Sequence, residues 1–471
     1  MINIVLSDKV IIINGDKDDL NKILKYETYD DDSHCFSKAG YNPMFLKHVP
    51  VLKYVRESLV GYSGLAKEIF QFCRDSKIKI NDFKDKREHF DFQNKEWNHD
   101  NLRLFFPKEF DYVEHQINSL QSMIKTNTGI IKAPTSAGKS KILSAYIRLS
   151  KIPTLILENK VTLAMQIRDD LRKDGIDCGI CTGKGIEKGY CMVSTIQSIK
   201  KLQDYTRYKC LLIDEVQNAK SESYQDFLKM FPVPLRFGFS ASPSRTGKYL
   251  DFAKIRQFMG SEIINIKSEE LIENKVMAKP TIYIVNNEVE QFFDYPTSYD
   301  NCIVHNDKRN KIAKNIVDKY KDEVLILVNI IEHGEELEKL IPGSVFISGD
   351  TPTEDRMKIL KDFDDGKIKV LIGSTILQEG ISITHMKAMI LLCGGKSNVA
   401  IIQKIGRSLR FKKGEKETVD FYDFADSGNS YLYKHAKTRI KLYKDNGYND
   451  MHLLDEELNE KWLILIDQKK W

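Results

Sequence analysis

The sequence predicts an α/β protein: two tandem parallel-sheet domains, a small α+β domain ahead of them and a helical tail behind. Two observations carry this expectation. From about residue 101 short apolar runs alternate with helical patterns, the order that lays a parallel sheet between helices. The runs also fall into two series: residues 129–133, 154–157, 210–213 and 235–239, then 324–328, 344–347, 370–372 and 388–392. Most are apolar throughout and end at a small or acidic residue, as strands covered on both faces do.

The 471 residues allow about three domains. Residues 1–95 read as an accessory domain, with an apolar run at 10–13, an acidic patch at Asp30-Asp31-Asp32 and a helical stretch at 64–74. They hold no catalytic signature, and their position suggests duplex or junction binding. Residues 96–278 and 279–427 hold the two strand series. The boundary falls near Lys279-Pro280, inside a stretch, 262–301, read as polar connection. Residues 428–471 read as helical and basic, then acidic.

Composition narrows the function classes. With 42% hydrophobic and 30% charged residues, the chain has enough apolar material for sizeable cores, which excludes a largely disordered protein. Lys plus Arg number 72 and Asp plus Glu 67, so the formal charge is only +5, too little for a histone-like coat. Any nucleic-acid surface must come from local arrangement. Eight cysteines form no disulfide framework, which fits a reducing cytoplasm. The apolar start is broken by Asp8 and Lys9 and lacks a basic lead, so strands are expected there rather than a signal peptide. No uninterrupted apolar stretch reaches about 18 residues, so no membrane helix is expected.

The first chemical signal is Ala133-Pro-Thr-Ser-Ala-Gly-Lys-Ser140, which follows an expected strand and opens the helical pattern 139–149. Such a loop aims backbone N–H groups and a positive helix end at a triphosphate. Pro134, Thr135, Ser136, Ala137 and Gly138 would cradle phosphates, Lys139 would reach the β and γ phosphates, and Ser140 would offer its hydroxyl to Mg2+. Ala133 stands where the general pattern has its first glycine. Alone, the segment could be an ordinary strand–turn–helix.

Leu211-Leu-Ile-Asp-Glu-Val-Gln217 is an apolar strand ending in two carboxylates, an uncomfortable arrangement without a cation. Asp214 is placed to hold Mg2+ through water, and Glu215 to orient or deprotonate an attacking water. Acidic pairs cap many strands, but Lys139 precedes Asp214 by 75 residues, room for the intervening strands of one nucleotide-binding domain. A third signal is Gln403-Lys-Ile-Gly-Arg-Ser-Leu-Arg410. Arg407 and Arg410 would share a helical face, and with the Gln403 amide they can stabilise charge on a transferring γ-phosphoryl group. A solvated basic helix is the plain alternative.

Together these segments resemble the motif set of superfamily 2 helicases, in order across roughly residues 110–425. Ser240-Ala-Ser242-Pro243 resembles the motif that couples hydrolysis to DNA movement, through Ser240 and Ser242. Val193-Ser-Thr-Ile-Gln197 and Ser374-Thr-Ile-Leu-Gln-Glu-Gly-Ile381 resemble the motifs that grip the strand backbone, with Glu379 and Gly380 near the nucleotide. Within the superfamily the chain is most similar to phage UvsW-type helicases, on its phosphate loop, its Glu-Gly-Ile-Ser-Ile phrase, its size and its small leading domain.

The resemblance implies two RecA-like domains, ATP and Mg2+ as cofactors, and Tyr112 and Gln116 beside the adenine. It puts strand contacts on Asn159, Lys160, Thr195, Gln197 and Thr375. Single-stranded, forked or four-way-junction DNA would be the substrate, in recombination, replication or repair, alongside other proteins of those processes. The location would be cytoplasmic, in a host if the gene is a phage's. Departures from the usual pattern are Ser382 for Asp, Gln217 for His or Asp, Val113 for a basic residue, and Leu157-Glu-Asn-Lys160 where Pro is usual.

From Lys434 to Lys444 the tail has no acid and interleaves aromatics. His435, Arg439 and Tyr443 form one helical stripe, read as a packing face, while Lys437, Lys441 and Lys444 lie elsewhere and are DNA candidates. Cys178-Gly-Ile-Cys181 has zinc or redox spacing but no second pair, so buried strand cysteines and no zinc are expected. His305 and His333 give no metal spacing.

The leading reading is an ATP-dependent DNA helicase or translocase. An RNA helicase would use the same motifs, and a translocase need not separate strands. A nucleotide-binding scaffold without turnover is disfavoured by the full set of Lys139, Asp214, Glu215, Arg407 and Arg410.

Overall fold

The structure is a computed structural model, described for residues 1–31, 36–37, 40–41, 47–107, 114–134, 137–241, 249–274, 276, 279–374, 386–395, 418–445 and 447–461. The chain divides into two compact units, Met1–Ile266 and Lys267–Trp471.

The first unit begins with Ile2–Leu6 (β1) and Val10–Gly15 (β2), an antiparallel hairpin in which Ile4 faces Ile13. Helix Lys17–Tyr26 (α1) follows, its start capped by the Asp16 carboxylate, which accepts from the N–H groups of Asp18 and Asp19. Lys53–Val55 (β3), Ser58–Tyr62 (β4), Ala66–Asp75 (α2) and Ile80–Asp85 (β5) complete a sheet of order β3-β4-β2-β1-β5. Alternate residues of β1 and β2 (Ile2, Ile4, Leu6, Ile11, Ile13) meet Leu20, Ile23 and Ile69 of the helices in one core.

This small domain is tied to the rest of its unit by buried polar contacts. Arg236 donates to the carbonyl oxygen of Asp8 at 2.7 Å and to Ser63 Oγ at 2.7 Å. Arg256 donates to Glu27 Oε2 at 2.6 Å, with Glu27 fully buried. Gly64 lies so close to the helix carrying Arg256 that a Cβ there would sit 2.4 Å from the Arg256 carbonyl oxygen.

The larger part of the unit is an α/β sandwich. In chain order its main elements are Glu114–Ile124 (α3), Thr128–Lys132 (β6), Lys139–Ser150 (α4), Thr154–Glu158 (β7), Val161–Lys173 (α5), Cys178–Thr182 (β8), Gly185–Glu187 (β9), Cys191–Thr195 (β10), Cys210–Asp214 (β11), Glu222–Met230 (α6), Leu235–Ser240 (β12), Tyr249–Met259 (α7) and Glu262–Asn265 (β13). The sheet order is β9-β8-β10-β7-β11-β12-β6-β13, parallel except for the β8/β9 pair. All four apolar runs expected in this half are strands, and β7 and β8 are buried at every residue. Cys178, Cys181, Cys191 and Cys210 are buried strand residues, and burial pushes their thiols up, that of Cys178 to about 12.

The second unit repeats the plan. Lys279–Glu288 (β14), Asp307–Val317 (α8), Val324–Leu327 (β15), Ile331–Leu340 (α9), Ser344–Ile347 (β16), Thr353–Asp364 (α10), Val370–Gly373 (β17), Ala388–Leu391 (β18), Thr418–Ser427 (β19), Ser430–Asp445 (α11), Met451–Leu454 (β20) and Glu460–Lys461 (β21) give the order β16-β17-β15-β18-β19-β14-β20-β21. The stretch 262–301, expected to be polar connection, instead supplies β13 to the first sheet and β14 to the second. Strand β14 pairs with β19 over ten residues. The helix expected in the tail is α11, after which the chain returns to the sheet as β20, parallel to β14.

Among the described residues no helix is long and apolar enough to cross a membrane.

Candidate active site

In the first sheet the expected site residues stand at the carboxyl ends of parallel strands, the edge where open α/β sheets gather ligands. Lys139 opens α4 after β6, Asn159 and Lys160 follow β7, Thr195 ends β10, Asp214 ends β11 and Ser240 ends β12. Helix α4 is entered through Gly138, whose φ of 74° is the left-handed conformation that glycine adopts without strain. The first N–H groups of a helix have no partner four residues back inside it, so the start of a helix can meet an anion.

Lys139 is buried, with Nζ 3.8 Å from Asp214 Oδ1 and 3.9 Å from Glu215 Oε1. Both separations exceed hydrogen-bond length, and among the described residues the ammonium has no hydrogen-bond partner. A buried cation standing near two carboxylates but beyond hydrogen-bond reach of both suits an anionic ligand such as a phosphate oxygen. Ser140 is the next residue of α4, and Pro134, Ala137 and Gly138 lead into it. Thr135 and Ser136 lie outside the described residues.

The carboxylates are held by their own surroundings. The Glu215 N–H donates to Asp214 Oδ1 at 3.0 Å. Glu215 has φ 52° and ψ 53°, a left-handed conformation that costs a non-glycine residue and recurs at functional turns. Gln217 Nε2 donates to Glu215 Oε2 at 2.6 Å, and Ser240 Oγ donates to Gln217 Oε1 at 2.5 Å. Ser240 and the Glu215 carboxylate are thus joined through one buried amide. Ser242 lies outside the described residues.

Glu158, quoted in the sequence only as a departure, is a third carboxylate here. It is buried, and burial reinforced by the charges of Asp214 and Glu215 pushes its carboxyl up to about 8. Its Oε1 accepts from the N–H groups of Asn159 at 2.7 Å and Lys160 at 3.3 Å, while Tyr224 donates to Asn159 Oδ1 at 2.7 Å. An acid ending an otherwise apolar strand was the available signal for Glu158. Nothing local announced Tyr224.

The remaining expected residues are distributed as follows. Gln116 Nε2 and His115 Nε2 both reach the carbonyl oxygen of Ala137, at 3.2 and 3.0 Å, so α3 braces the loop that leads into α4. Thr195 is buried with its hydroxyl donating to Ser198 Oγ, whereas Gln197 is exposed. On α11, Arg439 and Tyr443 are buried against Asp423, each at 2.8 Å, as a packing stripe requires. Lys441 and Lys444 are exposed, and Lys437 lies over the Tyr433 ring. Tyr112, Thr375, Glu379, Gly380, Gln403, Arg407 and Arg410 lie outside the described residues. His333 is buried against Asn310, while His305 sits at the surface beside Glu336, 2.9 Å away.

Two family models match the chain: "Type III restriction enzyme, res subunit" over residues 108–245 and "Helicase conserved C-terminal domain" over residues 286–412. Putative helicase 22 of a Sulfolobus islandicus filamentous virus is 27% identical over 358 residues, covering 66% of this chain and 63% of that protein. The ATP-dependent DNA helicase uvsW of Enterobacteria phage T4 is 26% identical over 375 residues, covering 68% of this chain and 72% of its own. The chain therefore spans somewhat less than two thirds of the viral protein. Among solved structures, S. cerevisiae Dbp5 bound to RNA and ADP BeF3 superposes with a TM-score of 0.56 at 17% identity, covering 74% of this chain and 91% of Dbp5, a likeness of fold.

Proposed function

We propose, for a chain that belongs to the superfamily 2 helicases and is related to phage UvsW, that it is an ATP-dependent DNA helicase or translocase acting on forked and junction DNA. The observation that carries the ATPase part is the buried Lys139 ammonium, held 3.8 Å from Asp214 without a hydrogen-bond acceptor among the described residues. The relatives named as helicases support the DNA part.

In this reading Lys139 and the N–H groups opening α4 bind the β and γ phosphates. Ser140 and Asp214 would hold Mg2+, which offsets phosphate charge when bound. Glu215 orients the attacking water and accepts its proton, with the Gln217 amide fixing the direction of its carboxylate. Arg407 and Arg410, with Gln403, are proposed to meet the charge developing at the γ phosphate. Tyr112, Gln116, Glu379 and Gly380 are proposed nucleotide neighbours.

Ser240 and Ser242 would pass the state of the site on to the strand-gripping loops. Those loops are proposed at Asn159, Lys160, Thr195, Gln197 and Thr375, where hydroxyls, amides and backbone N–H groups suit phosphates of any sequence. Residues 1–95 are proposed to engage the duplex or junction, residues 96–278 and 279–427 to be the two motor domains, and residues 428–471 to form a DNA-contacting tail.

The deciding experiment measures ATPase and strand separation with single-stranded DNA, forked DNA, a four-way junction and single-stranded RNA of matched length. Stimulation by DNA with separation of forks is the expected result. Stimulation by RNA alone would replace the reading with an RNA helicase, and hydrolysis without separation would reduce it to a translocase.

A further inference from the structure

Phe293 is fully exposed, its relative accessibility 102%, in the turn that follows β14. A side chain of that size recovers free energy when it leaves water, so its exposed ring is open to stacking. Tyr431, at the start of α11 and itself 38% exposed, donates its hydroxyl to the Phe293 carbonyl oxygen at 3.0 Å, which fixes the two aromatics as neighbours.

From Tyr431 the outer face of α11 runs through Lys434, Lys437, Lys441 and Lys444, spaced three, four and three residues apart and so on one side of the helix. At about 1.5 Å per residue the row is about 15 Å long. Among the described residues none of the four is ion-paired, and the segment from Tyr431 to Lys444 holds no acid. The helix cannot roll to hide them. Its other face is anchored by the Arg439–Asp423 ion pair, the Tyr443–Asp423 hydrogen bond and the buried Leu432 and Ala436.

We propose that this ridge is a second contact for single-stranded DNA, in which the lysine row follows the phosphates and Phe293, steadied by Tyr431, stacks on a base. The charge of the row is complementary to a polyanion, and an aromatic at the end of a basic track is the pairing that binds single strands without reading sequence. A protein partner would leave four parallel ammoniums needing four carboxylates, whereas a strand supplies the charges at regular spacing. The inference rests on the reading of the chain as a DNA motor.

The test is binding of a fluorescent oligothymidylate to the full chain at a series of salt concentrations, with Phe293→Ala, Phe293→Trp and the double variant Lys434→Gln, Lys441→Gln. Phe293→Ala should weaken binding about tenfold with an unchanged salt slope, and Phe293→Trp should restore it. The lysine pair should flatten the slope of log affinity against log salt by about 1.4, roughly 0.7 per lost contact. Phe293 makes no buried contact, so its loss does not threaten the fold. Variants that bind like the unaltered chain would overturn the ridge and leave the motor reading standing. An unaltered chain that binds no single strand would overturn both.

Discussion

Ser240 Oγ donates to Gln217 Oε1 at 2.5 Å, and the same amide donates through Nε2 to Glu215 Oε2 at 2.6 Å. The last residue of β12 is therefore tied by one buried side chain to the carboxylate proposed to orient water. Replacing Ser240 by Ala leaves Gln217 Oε1 without its hydroxyl donor in a buried setting, a loss of about 1 kcal/mol or more in how firmly the amide is held. Hydrolysis should fall about fivefold, while base pairs separated per ATP should fall further. The check is the ratio of the two rates on one forked substrate. Equal losses would mean that the bond serves hydrolysis alone.

Lys139→Ala should remove turnover to below about 1% of the unaltered rate, the scale expected when a preorganised charge at a reacting phosphate is deleted. The substitution also removes the buried ammonium that lies 3.8 Å from Asp214 Oδ1 and 3.9 Å from Glu215 Oε1. Nucleotide binding should weaken with it, whereas Arg407→Ala should lower kcat more than it raises KM, because the charge it is proposed to meet develops at the γ phosphate. Steady-state ATPase at saturating DNA separates the two. Persistent hydrolysis in Lys139→Ala would remove this lysine from the site.

The parallel strands were legible because their buried runs carry almost no polar residue, from Thr154 to Leu157 or from Val324 to Leu327. Strands β14 and β19 were not, since acids and amides interrupt them. Asp423 and Asp426 look like surface residues until their partners are known: Arg439 lies 16 positions away and Arg309 lies 117 away. Burial of such groups is decided by pairing, and local pattern does not reveal pairing. The same limit held in the site. Lys139, Asp214 and Glu215 could be read from motifs, but the raised carboxyl of Glu158 depends on Asp214 and Glu215, more than fifty residues on, which the sheet brings beside it.

His333 offers a prediction about pH. It is buried, with Nε2 2.8 Å from Asn310 Oδ1, and burial, aided by the nearby Arg309 charge, holds its imidazole down at about 3. In the unfolded chain it titrates near 6.5. As pH falls below that value the unfolded state takes up a proton that the native state refuses. The stability contributed is thus complete above about 6.5 and is lost toward pH 3. In His333→Gln this component is absent, so denaturant unfolding should lose about 2 kcal/mol less between pH 6.5 and 5 than in the unaltered chain. Identical pH dependence would show that His333 is not held neutral.

The attachment of the leading domain determines how its role can be tested. Deleting residues 1–90 would strip Arg236 and Arg256 of buried partners, so stability and function would fall together. Point changes separate them. Gly64→Ala sets a Cβ 2.4 Å from the Arg256 carbonyl oxygen and 2.7 Å from that of Gln257, backbone atoms that can yield only if the two layers part. About 3 kcal/mol of destabilisation is expected. Arg256→Met alone leaves Glu27 buried beside no cation and should cost about 3–5 kcal/mol, with most of the loss recovered when Glu27→Gln is added. That double variant keeps the fold while removing the charged clamp between the layers. Its hydrolysis with single-stranded DNA should stay within about twofold of normal, and its separation of forks should fall several-fold more, if the leading domain presents the junction to the motor from a fixed position. Parallel loss of both activities in a folded double variant would sink the idea that this domain selects the substrate.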